Sequence, residues 1–269
     1  MPRRSWPLAL LALILILPFL YMISVSFMSE VELLRWPPAL LPRMPTIGNY
    51  VAAYDALPYT RVLLNTAALA GCVMVAQVIT SAAAGYAFAR IRFPGRDNLY
   101  ALTVGLLTIP SVLLVLPRYL LVNAAGLIDT YPGLISTELV SIWGILLMRQ
   151  TFRQLPRDVE HAARLDGAGE WTLFWRVTLP LARPAVLVLA LLAFMDQWRS
   201  FLWPLVATNS PQMAVSEVAL ARFHATYAAN TPYQMAAAVM VTAPVLLVCL
   251  FAQRYVLLGA RLTGARVRL

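Results

Sequence analysis

Residues capable of polar chemistry are concentrated in one stretch of an otherwise apolar chain. Residues 149–183 include six arginines, four carboxylates and one histidine, whereas the flanking segments are almost entirely apolar. A polar stretch of this length between two apolar segments must lie in water, at one face of a membrane. His161 and His224 are the two histidines of the chain, and neither belongs to an HExxH motif or a cysteine cluster. The pattern therefore predicts neither a catalytic residue nor a metal site.

The first half of this polar stretch predicts a short helix. Pro156 is typical of a first helical position, and Gly167 is typical of the residue that ends a helix. Asp158 and Glu160 would lie near the positive N-terminal end, and Arg164 near the opposite end. These charges favour the helix electrostatically.

The predicted helix has one face of small side chains. Ala162 and Ala163 follow Val159 at spacings of three and four residues, so the three side chains share one side. A shallow face of this kind allows another surface to approach the helix closely.

The same stretch resembles the cytoplasmic signature loop of permease subunits of ABC importers. In that signature Glu-Ala-Ala is followed by three residues, Gly, nine residues, Ile, one residue and Leu-Pro. The matching positions are Ala162, Ala163, Gly167, Val177, Leu179 and Pro180. His161 occupies the position of the signature glutamate, and Glu160 precedes it, where many carbohydrate-type members also carry an acid.

The resemblance implies that this helix docks into a cleft of a separate ATPase subunit. The residues expected to take part are Glu160, His161, Ala162, Ala163, Asp166, Gly167, Ala168, Leu179 and Pro180. Either Glu160 or His161 would supply the polar contact to the ATPase. A solvated amphipathic loop without a partner is the alternative.

The composition is that of an integral membrane protein. Hydrophobic residues make up 61% of the 269 residues, and the mean hydropathy is +0.72. All 21 basic residues are arginine, so a G-x-x-x-x-G-K-S/T loop for ATP is impossible in this chain. We therefore expect the chain itself to bind no cofactor, with ATP and magnesium on a partner ATPase. Cys72 and Cys249 fall within apolar segments, which favours packing over a disulfide.

Apolar segments predict six membrane-spanning helices, since one span needs about 20 mostly apolar residues. Their approximate ranges are 6–27, 62–89, 99–121, 131–148, 184–205 and 235–258. The prediction is an all-α integral membrane protein with one transmembrane domain over residues 1–269, which the resemblance identifies as the type I ABC importer permease fold. In that fold the cytoplasmic coupling loop, here 153–180, lies between the fourth and fifth spans. Arg3 and Arg4 precede an apolar run longer than a typical signal peptide core, which predicts a retained anchor.

The distribution of arginine predicts the orientation. If the N-terminus is cytoplasmic, fifteen arginines lie in cytoplasmic segments, five lie in outer segments, and Arg199 lies within a predicted helix. The positive-inside rule then places both termini and the signature loop in the cytoplasm, at a bacterial plasma (inner) membrane. No basic stripe is interleaved with aromatic residues, so topology explains the net charge of +9 better than nucleic-acid binding does.

Three further stretches resemble the carbohydrate-uptake permeases. They are the proline-rich outer segment 28–61, the run 85–96, and the run 196–205, which ends in Trp-Pro-Leu. In the last run Arg199 stands where asparagine is usual in that family. Within the outer segments, short helices are predicted near Asn49–Ala56 and Val215–Thr226.

Polar residues inside the predicted spans are candidates for a solute pathway. They are Glu138, Asp196, Gln197, Trp198 and Arg199. Asp196 and Arg199 are three residues apart and could instead form an internal ion pair, and Glu138 could instead be a solvated helix end. Pro110 and Pro117 predict a bend in the third span, either around a cavity or as a packing kink.

The residues and the resemblance together predict a permease subunit of an ATP-driven ABC importer that takes up a sugar or related polar solute by alternating access. The expected partners are a dimer of ABC ATPase subunits, a second homologous permease, an extracytoplasmic solute-binding protein and membrane lipid. Arg199 leaves open an importer of an anionic polyol phosphate or another charged solute. An integral-membrane enzyme or a scaffold is the alternative from another class, although an enzyme would need a cluster of acids or histidines at one membrane face.

Overall fold

The computed structural model describes residues 6–37 and 39–262, and every regular element in these ranges is helical. The longer helices are Trp6–Ser26, Tyr59–Arg90, Ile142–Gln154, Arg183–Trp198 and Thr231–Leu262. The shorter helices are Gly48–Ala56, Arg96–Gly105, Val115–Ala124, Tyr131–Ser136, Arg157–Leu165, Leu202–Ala207 and Ser216–Thr226. The predicted all-α fold is confirmed, and Gly48–Ala56 and Ser216–Thr226 coincide with the two predicted short helices. Residues 1–5 and 263–269, which include the ends predicted to be cytoplasmic, lie outside the described residues.

Two described helices, Tyr59–Arg90 and Thr231–Gln253, are by themselves long and apolar enough to cross a membrane. Each of two bent helix pairs would add one further span if the pair crosses the membrane as a unit. Arg96–Thr108 with Ser111–Ala124 is bent by 97°, and Glu170–Leu181 with Arg183–Trp198 is bent by 79°. Leu10–Ser26 is a shorter apolar helix. The count of six spans stays a prediction.

The bend in the predicted third span occurs at Pro110, as its sequence indicated. Pro110 has an extended backbone (φ −59°, ψ 127°) and lacks the N–H that would continue the helix, so the chain leaves the helix at Thr108 and resumes at Ser111. Pro117 produces no second break. It lies in the first turn of Val115–Ala124, where a missing N–H leaves no helical hydrogen bond unmade.

The predicted fourth and fifth spans are also interrupted. The fourth consists of Tyr131–Ser136 and Ile142–Gln154, and the Ser141 hydroxyl caps the second piece by accepting a hydrogen bond from the Gly144 N–H (3.1 Å). The fifth stops at Trp198 and resumes as Leu202–Ala207. The corresponding apolar segments are therefore not continuous helices.

The chain forms two compact units. The first comprises the residues up to Leu64 together with Ala214–Leu246, and the second comprises Asn65–Met213 with the residues from Leu247 onward. In the first unit Phe223 packs between Tyr227 and Tyr233, with ring centroids 4.6 and 5.4 Å away. One transmembrane domain over residues 1–269 stays a prediction.

The core of the second unit is an aromatic cluster around Tyr86. Its ring centroid lies 5.8 Å from that of Phe152 and 5.2 Å from that of Phe174. Ala82, Met148, Ala182 and Leu189 complete the buried cluster. The residues of this core come from Tyr59–Arg90, Ile142–Gln154 and the chain segment that ends in Arg183–Trp198, so these elements are packed together.

Small residues allow two helices of this core to meet backbone to backbone. A Cβ atom on Gly85 would lie 2.7 Å from the Met148 Cβ and 2.8 Å from the Arg149 backbone nitrogen. Nothing lies within 4 Å of the corresponding position on Gly71, which belongs to the same helix. The close approach of Tyr59–Arg90 to Ile142–Gln154 therefore depends on Gly85.

We expect Gly85→Ala to lower the free energy of unfolding by about 1–3 kcal/mol, because the added methyl group would push against backbone that has no room to move. Gly71→Ala is the matched control, and it should leave stability unchanged or raise it by up to about 1 kcal/mol because alanine favours the helix. Thermal unfolding of the detergent-purified protein measures both changes. Equal stability of the two variants would contradict the proposed close approach.

Candidate functional site

The helix Arg157–Leu165, here called the signature helix, ends before Gly167 as the sequence indicated, but it begins at Arg157 rather than at Pro156. Pro156 lies one position before the first helical residue, as the N-cap. Gly167 adopts a left-handed conformation (φ 84°), and its N–H donates to the Arg164 carbonyl at 3.0 Å. The Ala168 N–H donates to the Ala163 carbonyl, also at 3.0 Å. These two bonds form a Schellman motif, which needs a residue at Gly167 that tolerates positive φ.

Glu160 of the signature helix is directed into its own unit. The residue is 6% exposed, and its Oε1 lies 2.8 Å from the Nε of Arg90 in an ion contact that lacks the alignment of a hydrogen bond. Arg90 is the last residue of the helix Tyr59–Arg90, and its Nη2 also donates to the Leu155 carbonyl at 2.8 Å. One guanidinium therefore fixes both the signature helix and the chain that enters it.

A second ion pair fixes the far end of the signature helix. Arg164 Nη1 lies 2.5 Å from Glu170 Oε1, and the Tyr86 hydroxyl donates to Glu170 Oε2 at 3.0 Å. The hydrogen bond to Glu170 raises the pKa of the Arg164 guanidinium, which therefore stays charged. Since Tyr86 belongs to the aromatic core, the signature helix is connected to that core through Glu170.

Sequence reasoning missed Tyr86, Arg90 and Glu170 as parts of this site. Arg90 and Glu170 are charged residues next to apolar segments, a position that usually indicates a water-facing helix end. The signal that could have found them is their charge complementarity to Arg164 and Glu160, but using it requires knowing which ends lie together.

The opposite side of the signature helix is exposed. His161 and Ala162 are exposed, Val159 is 44% exposed, and Leu165 is 89% exposed. Ala163 is half-buried. Of the two residues considered for the polar contact, Glu160 is thus engaged within the chain, whereas His161 is accessible.

The other predicted coupling residues occupy two places. Asp166 and Gly167 are exposed and Ala168 is half-buried, next to the accessible side of the signature helix. Leu179 packs against the aromatic core, and Pro180 is exposed. The structure therefore places Leu179 among internal contacts rather than on the exposed surface.

Four of the five predicted pathway residues line one open cleft of about 460 Å³. We call it the polar cleft, and its lining residues are Ser111, Val112, Val115, Arg118, Glu138, Asp196, Gln197, Arg199, Ser200, Phe201, Leu202 and Trp203. The exception is Trp198, which is 4% exposed and packs on Phe194 with ring centroids 5.5 Å apart. Ser111, Glu138 and Ser200 lie at the interruptions of three different helices, so the three interruptions meet at this cleft.

Glu138 is paired with Arg118 rather than solvated at a helix end. The Arg118 guanidinium contacts the Glu138 carboxylate, donates to the Thr137 hydroxyl at 2.7 Å, and lies 4.5 Å from the centroid of the Trp203 ring. The Trp203 indole N–H in turn donates to the Leu134 carbonyl at 3.2 Å. Sequence reasoning missed Arg118, which it counted as an outer positive charge.

The alternative of an Asp196–Arg199 ion pair is wrong, because no such pair lies within 4.0 Å among the ion pairs of the described residues. Arg199 is the residue at which its helix ends, and its Nε donates at 3.4 Å to the Met195 carbonyl. Both charged side chains are exposed in the polar cleft. Gln197 is 5% exposed, and its amide nitrogen has no hydrogen-bond partner among the residues described.

A turn centred on Asp129 is hydrogen-bonded to the segment that follows the helix Leu202–Ala207. Asp129 has a positive φ of 61°, and its Oδ1 accepts hydrogen bonds from the N–H groups of Asn209 and Ser210 at 3.0 and 3.1 Å. The backbone bond from Ser210 lowers the pKa of the Asp129 carboxyl. This stabilisation is present at neutral pH and is lost as the pH falls through the lowered pKa.

The described residues contain no group of three or more His, Cys, Asp or Glu side chains placed to hold a metal ion.

Residues 77–261 match the family described as "Binding-protein-dependent transport system inner membrane component". The chain belongs to this family. It is therefore a permease component of an inner-membrane transport system rather than an enzyme, as predicted.

Named relatives extend the similarity to almost the whole chain. The permease is 31% identical to the arabinooligosaccharides transport system permease protein AraQ of Halalkalibacterium halodurans, over 98% of each chain. It is 34% identical to the diacetylchitobiose uptake system permease protein NgcG of Streptomyces coelicolor, over 92% of this chain and 83% of that one. These relatives confirm the predicted resemblance to carbohydrate-uptake permeases.

A solved structure shares the fold. A chain of a bacterial ABC transporter involved in the import of the acidic polysaccharide alginate superposes with a TM-score of 0.80 at 23% identity, covering 93% of this chain and 94% of that chain. The helical arrangement is therefore that of an ABC importer permease.

We expect Arg90→Leu and Glu160→Leu each to lower the free energy of unfolding by about 3 kcal/mol, because each leaves an unpaired buried charge. The double variant should lose clearly less free energy of unfolding than the sum of the two single losses, since neither charge then remains. Thermal unfolding of the wild type, both single variants and the double variant gives the four values of this double-mutant cycle. Asp158→Asn, at an exposed acid of the same helix, is the control and should change stability by less than about 0.5 kcal/mol. Simple additivity of the two leucine variants would contradict a direct pair.

Proposed function

We propose that this permease forms half of the translocation pathway of an ATP-driven importer for a sugar or a related polar solute, and that the signature helix couples it to a separate ATPase. The observation that carries the proposal is the signature helix itself: one side is held by buried charge, and the other is left open to a partner. The two relatives are named for arabinooligosaccharides and diacetylchitobiose, which supports a saccharide as the solute class.

The anchoring of the signature helix explains how coupling would work. Arg90 and Glu170 join it to the helix Tyr59–Arg90, so a push from the ATPase would move both elements together. Closure of two ATP-bound ATPases would then rock the permease from an inward-open to an outward-open state. Nucleotide can drive this change only by binding the two states with different affinity.

Within this proposal the predicted coupling residues have two roles. His161, Ala162, Asp166 and Gly167 would contact the ATPase from the exposed side, with Ala163 and Ala168 at its edge. Glu160 would act from inside by holding the helix in the orientation that exposes those residues. Leu179 would anchor the end of the loop in the core, next to Pro180.

The proposed assembly has further components. A second homologous permease would complete the pathway, ATP and magnesium would be bound by the ATPase pair, and an extracytoplasmic solute-binding protein would deliver the solute. The six predicted spans would place both termini and the signature helix in the cytoplasm, as the arginine distribution favours.

The polar cleft is the proposed solute pathway in this subunit. Interrupted helices are tolerated inside a membrane where their free backbone groups line a cavity, and three such interruptions meet here. Gln197 supplies a buried amide donor without a protein partner, and Asp196 and Arg199 supply exposed charges. Trp198 does not line the cleft, and it would pack behind the residues that do.

The charge balance of the cleft favours a neutral solute over an anionic one. Arg118 is compensated by Glu138, and the remaining charges, Asp196 and Arg199, have opposite signs. A polyol phosphate would gain from Arg199 but would meet Asp196 in the same cleft. Hydroxyl groups of a sugar can bond to both.

Gly167→Asp should leave the permease inserted in the membrane but abolish its association with the ATPase. A side chain at positive φ costs about 1–2 kcal/mol, and a carboxylate is unfavourable at the negative end of a helix. The measurement is co-purification of partner subunits with the detergent-solubilised permease from its native host. Gly169→Asp is the control, since Gly169 has an ordinary φ of −78° and open space around it.

Recovery of an ATPase, a second permease and a solute-binding protein with the wild-type chain would support the proposed class of transporter. Isolation of the chain alone would count against it. Normal uptake by Gly167→Asp would refute the role of the signature helix.

Asp196→Asn should weaken uptake of a neutral oligosaccharide by about tenfold or more, the loss expected when a charged hydrogen-bond partner of the solute is removed. Uptake of radiolabelled neutral oligosaccharides, uronic-acid oligosaccharides and glycerol phosphate by cells carrying each variant makes the comparison. Asp55→Asn, an exposed acid outside the cleft, is the control. A wild-type importer that accepts only the anionic solutes would instead support the polyol phosphate alternative.

A further inference from the structure

A second cleft of about 380 Å³ is strongly basic. We call it the arginine cleft, and its lining residues are Phe88, Ala89, Arg96, Asp97, Arg149, Arg153 and Arg157. Four guanidinium groups thus face one carboxylate. That carboxylate is already engaged, because Asp97 Oδ1 accepts a hydrogen bond from the Nε of Arg96 at 3.0 Å.

The other three arginines have no counter-charge within the part of the chain that the structure describes. Among the described residues, no carboxylate lies within 4.0 Å of the side-chain nitrogens of Arg149, Arg153 or Arg157. Arg90 and Arg164 of the same unit, in contrast, each have a glutamate partner. Like charges at close range repel, so an anion from outside would stabilise the cleft.

One of these guanidinium groups is held in place before any ligand arrives. The Arg149 Cζ lies 3.6 Å from the centroid of the Tyr100 ring, and Tyr100 packs against Phe88 with ring centroids 5.5 Å apart. The Arg149 Nε is buried and has no hydrogen-bond partner among the described residues, so the outward face of the guanidinium is the part available to a ligand. A cation already held by stacking favours ligand binding because little side-chain freedom is lost.

The chemistry of the cleft fits a phosphoryl group. Guanidinium groups bind phosphate oxygens through paired N–H donors, and several of them around one cleft suit an anion with several oxygens. The nearby surface is apolar: Leu99 and Leu102, at successive three-residue steps after Arg96, are 49% and 63% exposed. A basic cleft beside exposed leucines matches a molecule with an anionic head and an apolar tail.

We propose that the arginine cleft binds the phosphoryl headgroup of an anionic phospholipid. This inference uses the membrane location of the chain and is independent of what docks on the signature helix. The neighbouring cleft of about 250 Å³ shares Arg96 and Arg157 and extends to His161 and Arg164. A lipid bound in the arginine cleft would therefore lie beside the signature helix.

The test uses the importer complex purified in mild detergent, with lipid binding measured by native mass spectrometry. Phosphatidylglycerol and phosphatidylcholine are the probes, and the wild-type complex should bind the anionic lipid preferentially. Arg149→Gln with Arg153→Gln should weaken phosphatidylglycerol binding by about thirtyfold, the loss expected for two arginines at an anionic headgroup. Arg35→Gln with Arg222→Gln removes the same charge at exposed residues outside the cleft and should leave binding unchanged.

Three outcomes would overturn the proposal. The first is equal phosphatidylglycerol binding by the cleft variant and its control. The second is displacement of the lipid by excess inorganic phosphate, which would identify a site for a soluble anion. The third is loss of the ATPase from the cleft variant with lipid binding intact, which would identify a protein contact. If the double variant fails to fold, Arg153→Gln alone replaces it, because Arg153 is exposed; the single variant should still bind phosphatidylglycerol more weakly than Arg222→Gln.

Discussion

The buried contact between Arg90 and Glu160 determines how the signature helix is presented. Removing two charges from water is unfavourable, and such a pair is stable only while both members are present. Because Glu160 must face Arg90, the rotation of the helix about its own axis is fixed. His161, Ala162 and Leu165 are then directed outward by helical geometry alone. The buried Arg90–Glu160 pair therefore determines which side of the signature helix is accessible to a partner.

The helix Tyr59–Arg90, which carries Arg90, is itself held rigidly by packing one turn before that residue. Tyr86 belongs to the aromatic core with Phe152 and Phe174, and its hydroxyl reaches the carboxylate that holds Arg164. At Gly85 the helix touches the backbone of its neighbour, so a lateral shift would produce a clash. Apolar packing and polar anchoring thus act through adjacent residues. A displacement of the signature helix would therefore also move the helix Tyr59–Arg90, because the side chains between them are tightly held.

Local signals in the sequence were sufficient to predict the signature helix but not its contacts. Pro156 and Gly167 act through their own backbone preferences, so the limits of the helix could be predicted to within one residue. The pairing of Glu160 with Arg90 joins residues far apart in the chain, and a charge beside an apolar segment usually indicates exposure to water. The interruptions show the same limit. Pro110 predicted its break correctly, whereas the break after Ser136 occurs in a segment without proline or glycine, where residue types alone do not show that the backbone hydrogen bonds stop.

Charge balance, rather than arginine content, distinguishes the two clefts of the second unit. In the polar cleft Arg118 is neutralised by Glu138, and the remaining pair of exposed charges is of opposite sign. A solute that followed the proposed pathway would therefore meet donors and acceptors without a strong net field. In the arginine cleft the single carboxylate is already bonded, and three guanidinium groups have no carboxylate partner among residues 6–37 and 39–262. A strong binding site for an anion would slow transport if it lay in the pathway, because release would then be difficult. The same strength would suit the lipid site that we propose for the arginine cleft.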